Sequence, residues 1–359
     1  MLASKRGILG SISILGIFLL LLYAYEPNLV QPLRQTSIPA KKGIASLSDN
    51  PGDIVDVLPK QGKDENNGGS LSSGSNPSLN GNSNLEKNQQ SQNQKSQNSS
   101  LEYVLQKEFP YNRSAFPSFL WQSWKWDPSS GYFDDGLRTV EATWTQKNPL
   151  YLHKVLNDEM TAELVHVMYE NVSDVISLWN KMPAAILKAD LFRYLVLLAR
   201  GGVYTDIDTE NIKPIREWIP LSIQPKDVGL VVGIEADPDR EDWTDWYSRR
   251  VQLCQWTIRA KKGHPALAKV IDMINKHSTD ELLNKKYNVN DVIEWSGPAI
   301  WTDAVMEYLN ENNQGKVYSW HNFTGITEPI LAEDVLVLPI TGMFFFYLQL
   351  ILYIYIFKM

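Results

Sequence analysis

"MPAAILKADLFRYLVLLARGGVYTDIDTE", Met182 to Glu210, reads as a helix, a sharp turn and a strand in immediate succession. The first part is apolar nearly all round, as a helix enclosed by the rest of a fold must be. Pro183 stands where a first-turn proline belongs, and Gly201 where a C-terminal cap belongs. "VYTDID" then alternates as a strand does. A buried helix feeding directly into a buried strand is a unit of α/β architecture.

The flanking sequence extends the pattern. "PSFLWQSWK" (Pro117 to Lys125) and "GLVVGIE" (Gly229 to Glu235) read as further strands. "AELVHVMYENV" (Ala162 to Val172) and "SRRVQLCQWTIRA" (Ser248 to Ala260) read as helices. No internal repeat is visible.

The two aspartates that end the opening stretch raise a chemical point. On a strand, Asp206 and Asp208 share a face while Ile207 points into the core. Adjacent carboxylates repel each other unless a cation lies between them. Hard oxygen ligands suit Mg²⁺ or Mn²⁺, ions that keep coordination positions open for diphosphate oxygens. A second D-x-D, Asp237-Pro238-Asp239, holds a proline that marks it as a loop. On the preceding helix Asp190, Arg193 and Arg200 fall on one stripe. They read either as an internal ion pair or as ligand contacts, and their nearness to the D-x-D favours the second. Arg193 then suits a sugar hydroxyl or phosphate, and Asp190 accepts from hydroxyls.

"WSGPAIWTDAV" starts another helix at Ser296-Gly297-Pro298, and this start is open to two readings: a plain cap or an anion site. His264 and His321 stand alone and suit structural or surface roles.

Composition bounds the function. The net charge of -7 over 359 residues argues against a nucleic-acid binder. Twelve Trp and sixteen Tyr fit a large core and also suit sugar or base stacking. Residues 1–7 carry Lys5 and Arg6, and residues 8–25 are uncharged, a helix of about 27 Å. No small-residue cleavage site follows, so the segment reads as an uncleaved signal anchor with a cytoplasmic tail. Residues 26–100, rich in Gly, Ser, Asn and Gln, read as a disordered stem. Residues 101–341 form the globular domain. Anchor, stem and domain make a single-pass type II layout of the Golgi, with the domain luminal. Sequons at Asn98, Asn112, Asn171 and Asn322 fit that side of the membrane. Cys254 is the single cysteine, so an intrachain disulfide is excluded.

"PAAILKADLFRYLVLLARGGVYTDIDT" resembles the signature block of the DXD-containing glycosyltransferase family 32. "FPSFLWQSWK", "TWTQKNPLY", "GLVVGIEADPDREDWTDWYSRRVQLCQWTIRAKKGHP", "WSGPAIWTDAVMEYLN" and "EDVLVLPIT" match its fungal Golgi mannosyltransferase branch in order, over roughly residues 108 to 341. The resemblance implies a GT-A fold with a Rossmann-like nucleotide-sugar-binding sheet, and Mn²⁺ or Mg²⁺ as cofactor. It also implies retaining α-1,6 mannosyl transfer from GDP-mannose to the mannose core of N-linked glycans, starting the outer mannan chain. By position, Asp206 and Asp208 bind the metal–diphosphate. Asp190 and Arg193 hold the donor sugar, Tyr204 lines its pocket, and Trp121 or Trp124 stacks on guanine. Glu235 and Asp237 follow a strand and are placed to face the acceptor, with no base role assigned to either. The alternative is a non-catalytic or paralogous subunit of a Golgi mannan-synthesising complex.

The resemblance stops at Thr341, and residues 342–359 read "GMFFFYLQLILYIYIFKM". Gly342-Met343-Phe344 is what a fungal intron opening GTATGT gives when translated, so this tail reads as an unspliced intron or a frameshift. As a helix, Phe344 to Phe357 spans only about 21 Å, short for a membrane crossing. A chain ending in this way is expected to be weakly active or inactive.

Overall fold

The computed structural model describes residues 100–278, 283, 288–313 and 315–340. The cytoplasmic tail, anchor, most of the stem with Asn98, and the C-terminal tail lie outside the described residues. Among the described residues, no helix is long and apolar enough to cross a membrane.

The chain begins with α1 (Leu101–Glu108), β1 (Phe119–Ser123), α2 (Asp135–Lys147) and β2 (Leu152–Leu156). Three helices follow, α3 (Asp158–Met168), α4 (Ser173–Lys181) and α5 (Ala185–Arg200), and then β3 (Gly202–Thr205). Next come β4 (Leu230–Ala236), β5 (Gln252–Leu253), β6 (Thr257–Ala260) and α6 (Pro265–His277). The last elements are α7 (Val289–Trp295), α8 (Pro298–Glu311), β7 (Ile330–Ala332) and β8 (Val335–Leu338).

The strands form one mixed sheet in the order β2-β1-β3-β6-β4-β8-β7, with β5 paired to β4. β1 runs parallel to β2 and β3, and β4 parallel to β8. β6 is antiparallel to both β3 and β4, so β3 and β4 share one direction and end at the same edge of the sheet. Alternate strand residues feed two cores. Trp121, Tyr204, Val232, Ile258 and Val337 join the helices α3 to α6 and α8 on one face. Leu120, Val203, Val231 and Leu336 meet Trp144 of α2 and Trp218 on the other. This is the helix-covered sheet of an α/β fold.

The α5–turn–β3 unit forms largely as its sequence dictates. Leu187, Leu191, Leu195 and Leu198 of α5 are fully buried, each contributing about 1.5–3 kcal/mol by removal from water. Gly201 ends the helix at φ 68°. Gly202 follows at φ 99°, where a Cβ would come within 2.5 Å of the Phe119 carbonyl oxygen, so only glycine lets β3 pack on β1. Pro183 lies ahead of the N-cap Ala184 and not in the first turn. The helix expected over 162–172 begins earlier, because the Asn157 side chain caps it by accepting from the Met160 N–H at 2.9 Å.

Residues 248–260 do not form a helix. They fold as β5 and β6, and β6 fills the place between β3 and β4. Cys254-Gln255-Trp256-Thr257-Ile258-Arg259-Ala260 alternates apolar and polar as a strand does, and its polar Thr257 and Arg259 are buried too because β6 is covered on both faces.

Candidate active site

The site lies where β3 and β4 end. β3 stops at Thr205, so Asp206 and Asp208 occupy a turn beyond the strand and strand alternation is not what brings them together. The Asp206 carbonyl gathers three donors that bend the chain: Thr209 Oγ1 at 2.6 Å, Thr209 N–H at 3.3 Å and Gln122 Nε2 at 3.1 Å. The Asp206 N–H still donates to the Trp256 carbonyl at 2.9 Å, which anchors the turn to the segment leading into β6. Ile207 enters the core, 3% exposed, as its sequence position suggests.

Arg193 organises the floor beneath the turn. Its Nη1 lies 2.8 Å from Asp190 Oδ1 and its Nη2 3.3 Å from Asp206 Oδ1. The guanidinium also sits over the Tyr204 ring, 5.3 Å from the centroid. Asp190 is held by Ser296 Oγ at 2.8 Å and Gln255 Nε2 at 3.3 Å. Tyr194 fixes this second pair by donating to Gln255 Oε1 at 2.6 Å. Ser296 directly precedes the start of α8, so the chain's own Asp190 carboxylate lies beside that helix N-terminus.

Asp190 and Arg193 are 2% and 3% exposed, so the ion-pair reading of these residues holds in the structure. Arg200, on the same stripe in sequence, is exposed and stands apart from them. Arg193 Nε and Nη1 make no well-aligned hydrogen bond among the described residues, although Nη1 is ion-paired with Asp190. Tyr204 is 1% exposed, with its hydroxyl 3.1 Å from Ser123 Oγ. Trp121 is a core residue, 7% exposed, with its indole N–H on the Gly201 carbonyl at 3.0 Å. It offers no face to a base. Trp124, half-buried just after β1, has Lys125 Nζ over its ring, 5.8 Å from the centroid.

The carboxyls at this edge hold their protons unusually well. Burial raises Asp206 against the pull of Arg193. Burial and then the charge of Asp206 push Asp208 up to about 7. Burial, opposed by Arg193, takes Asp190 up to about 6. A group held in this way gains from any cation that reaches it. Asp206 remains 25% exposed at its side chain, so the pair is open on one side. Among the described residues no group of three or more His, Cys, Asp or Glu is arranged to hold a metal. Two carboxylates that leave most positions to phosphate oxygens and water fit Mg²⁺ or Mn²⁺.

Glu235, near the end of β4, is the neighbour that the sequence left without a role. Its Oε2 accepts from Gln252 Nε2 at 2.9 Å, and burial pushes it up to about 7. Asp237 serves the loop instead, accepting from Thr324 Oγ1 at 2.8 Å and the Gly325 N–H at 2.6 Å. His264 is fully buried against Asp334 and His321 stacks on Trp320, both structural placements. Asn112, Asn171 and Asn322 are all exposed.

The contributions of Ser296, Gln255 and Gln122 were hidden because each comes from an element distant in sequence. The Ser296-Gly297-Pro298 helix start was the one visible signal.

The chain is similar in sequence to known proteins. Residues 135–223 match the family model described as "Glycosyltransferase sugar-binding region containing DXD motif". The chain is 45% identical to the "Initiation-specific alpha-1,6-mannosyltransferase" of Candida albicans, over 68% of this chain and 69% of that one. Its counterpart of the same name in Schizosaccharomyces pombe is 46% identical over 66% of this chain and 58% of its own length. That of Saccharomyces cerevisiae is 30% identical over 65% and 74%. Among solved structures, the PaToxG glycosyltransferase is similar at 16% identity with a TM-score of 0.37, covering 63% of this chain and 80% of that one. The chain belongs to the DXD-motif family of glycosyltransferases.

Proposed function

We propose that the protein is a retaining α-1,6-mannosyltransferase that moves mannose from GDP-mannose onto the mannose core of an N-linked glycan. The observation that carries this reading is the Asp190–Arg193–Asp206 chain, which holds one carboxylate of an open pair at the sheet's C-terminal edge. The name shared by the fungal relatives supplies the sugar and the linkage.

In this reading Asp206 and Asp208 hold Mn²⁺ or Mg²⁺ between themselves and the donor diphosphate. The bound ion supplies Lewis-acid stabilisation of the charge that builds on departing GDP. Arg193 fixes the orientation of Asp206 and sets a positive charge beneath the diphosphate and donor sugar. Asp190 keeps that guanidinium in place, and Ser296 and Gln255 keep Asp190 in place. Tyr204 closes the wall behind the guanidinium. The half-buried ring of Trp124 takes the stacking role for guanine. The same-face course implied by retention needs no carboxylate nucleophile, in contrast to the paired carboxylates of retaining glycoside hydrolases.

The reading of residues 8–25 as a signal anchor supports a luminal Golgi location for this chemistry, and exposed Asn112, Asn171 and Asn322 in sequons are consistent with it. Incubation of the full chain with GDP-mannose, Mn²⁺ and a high-mannose oligosaccharide tests the reading. A new α-1,6-linked mannose supports it. Transfer of another sugar, or formation of another linkage, overturns it.

A further inference from the structure

Glu235 stands at the same edge of the sheet as the metal-binding pair, near enough to feel the charge of Asp206. Arg259 of β6 pairs with Val203 of β3 on one side and with Val231 of β4 on the other. Val203 and Val231 are therefore level across the sheet. β3 keeps this register to Thr205 and β4 runs on past Glu235, so the turn Asp206-Ile207-Asp208 and Glu235 stand at the same edge of the sheet. The chain leading into β6 runs between them, with the Asp206 N–H on the Trp256 carbonyl at 2.9 Å and the Cys254 N–H on the Gly233 carbonyl at 2.8 Å.

The polar groups here are incompletely used. Gln252 is 3% exposed, and its Nε2 donates to Glu235 Oε2 at 2.9 Å. Its Oε1, on the same amide, is buried with no hydrogen-bond partner among the described residues. A buried amide oxygen without a donor is costly, and native proteins rarely leave one so unless something else supplies the donor. The irregular pairing of β4 with β5 between Ile234 and Ala236 brackets Glu235, and such an irregularity re-aims a side chain at a sheet edge. The nearby charge of Glu235 bears on Tyr247, so the tyrosine from the following loop lies beside the same carboxyl.

A carboxylate and an amide oxygen side by side, with an aromatic ring near, form a set of acceptors for adjacent hydroxyls. We propose that Glu235 and Gln252 bind the acceptor sugar, taking hydrogen bonds from two of its hydroxyls and holding it against the donor. This rests on the mannosyltransferase reading above, since it is that reading which puts the donor on Asp206 and Asp208. When Glu235 is ionised both groups accept hydrogen bonds, which suits hydroxyls better than an anion. The donor nucleotide belongs to the β1 and β3 side of the sheet, and β4 lies on the other side of the pair.

The test measures two affinities on the full chain and needs no turnover. One is the affinity for GDP in the presence of Mn²⁺; the other is that for a labelled high-mannose oligosaccharide with GDP and Mn²⁺ present. Glu235→Gln and Gln252→Ala are each expected to weaken oligosaccharide binding about tenfold or more, the loss of a hydrogen bond to a sugar. Both are expected to leave GDP affinity within about twofold. Gln252→Glu keeps the size and an acceptor oxygen but sets a second charge against Glu235, and it should weaken the oligosaccharide as well. If the wild type binds GDP with Mn²⁺ and the variants bind oligosaccharide as it does, the subsite is overturned and the enzyme reading stands. If the variants lose GDP affinity while oligosaccharide binding is unchanged, the pair serves the donor and the proposal fails. A wild type with no Mn²⁺-dependent affinity for GDP overturns the enzyme reading, and the acceptor subsite with it.

Discussion

The two edges of the central sheet each carry a buried carboxylate, and the two are treated in opposite ways. At the edge where β4 and β8 begin, Asp334 accepts from Tyr111 Oη at 2.6 Å and Tyr308 Oη at 2.8 Å, with His264 Nε2 at 3.4 Å. Its carbonyl also accepts from the Gly229 and Leu230 N–H groups at 2.7 and 3.1 Å, which ties β4 to β8. Burial alone would raise its proton affinity, but His264 and the two tyrosines outweigh it and hold the carboxyl well below the usual range. At the other edge Asp206, Asp208 and Glu235 are all raised. Burial is the leading cause at every one of these carboxyls; at Asp334 its donors outweigh it, whereas Arg193 at Asp206 and Gln252 at Glu235 do not. A carboxylate whose partners overcome burial is fixed as part of the fold, whereas one whose partners do not gains from a cation or a ligand.

Exchanging charge for an amide at each edge should separate the two roles. The largest effect is expected at the open edge. Asp206→Asn or Asp208→Asn should lower mannosyl transfer by about 10²–10³-fold, the scale of removing one group that stabilises developing charge. Thermal unfolding of metal-free Asp208→Asn should be unchanged or shifted upward, because the charge removed is one that burial disfavours, whereas Asp206→Asn also takes a partner from buried Arg193 and should unfold lower. A variant that keeps most of its activity would break the contrast.

At the closed edge the order of effects reverses. Asp334→Ala leaves two tyrosine hydroxyls without their acceptor and should cost about 3 kcal/mol in urea unfolding. Affinity for GDP and Mn²⁺, measured well below the unfolding temperature, should stay at the wild-type level. An unchanged unfolding midpoint would show that the Tyr111–Asp334–Tyr308 bonds contribute nothing net.

Arg193→Lys sharpens the account of the open edge. A lysine keeps the charge but cannot reach Asp190 and Asp206 with two separate nitrogens of a planar fork. Transfer should fall about tenfold, roughly 1.4 kcal/mol in the barrier, with the smaller part of the effect in stability. Full activity in this variant would remove Arg193 from the positioning of Asp206.

The smallest effect is one of pH. Glu235 is raised from 4.5 to about 7, so the folded protein keeps a proton there that the unfolded chain releases. Its contribution to stability is fully present below about 4.5 and is lost as pH rises through about 7. Asp334 acts with the opposite sign: its contribution is present above the ordinary aspartate range and is lost only at strongly acidic pH. Unfolding free energy measured from pH 5 to 8 should therefore fall less steeply in Glu235→Gln than in the wild type.

The sequence made the α5–β3 unit legible because its signals are local. Leucine spacing, Gly201 and Gly202 act within a few residues of themselves, and the strands β1 and β4 and the start of α8 were readable for the same reason. Residues 248–260 do carry a strand signal, Cys254, Trp256, Ile258 and Ala260 alternating with polar residues, and the helical reading overlooks it. The end of β3 was misplaced for a tertiary reason: Thr209 and Gln122, one local and one distant, turn the chain at Asp206. Asp190 and Arg193 were found on one helix face, but their burial depends on Ser296 and Gln255, more than sixty residues away. Asp334 gave no sign at all, since Tyr111 and Tyr308 reach it only in the folded chain. Glu235 was noticed as a carboxylate at a strand end, while its partner Gln252 lay in the stretch taken for a helix.

The central claim is that Asp206 and Asp208 hold a divalent cation against a nucleoside diphosphate. Calorimetric titration of GDP with and without Mn²⁺, on the wild type, Asp208→Asn and Asp334→Asn, tests it most directly. The account predicts that Mn²⁺ strengthens GDP binding in the wild type and in Asp334→Asn, and that Asp208→Asn loses this gain. Retention of the full Mn²⁺-dependent gain by Asp208→Asn would contradict it.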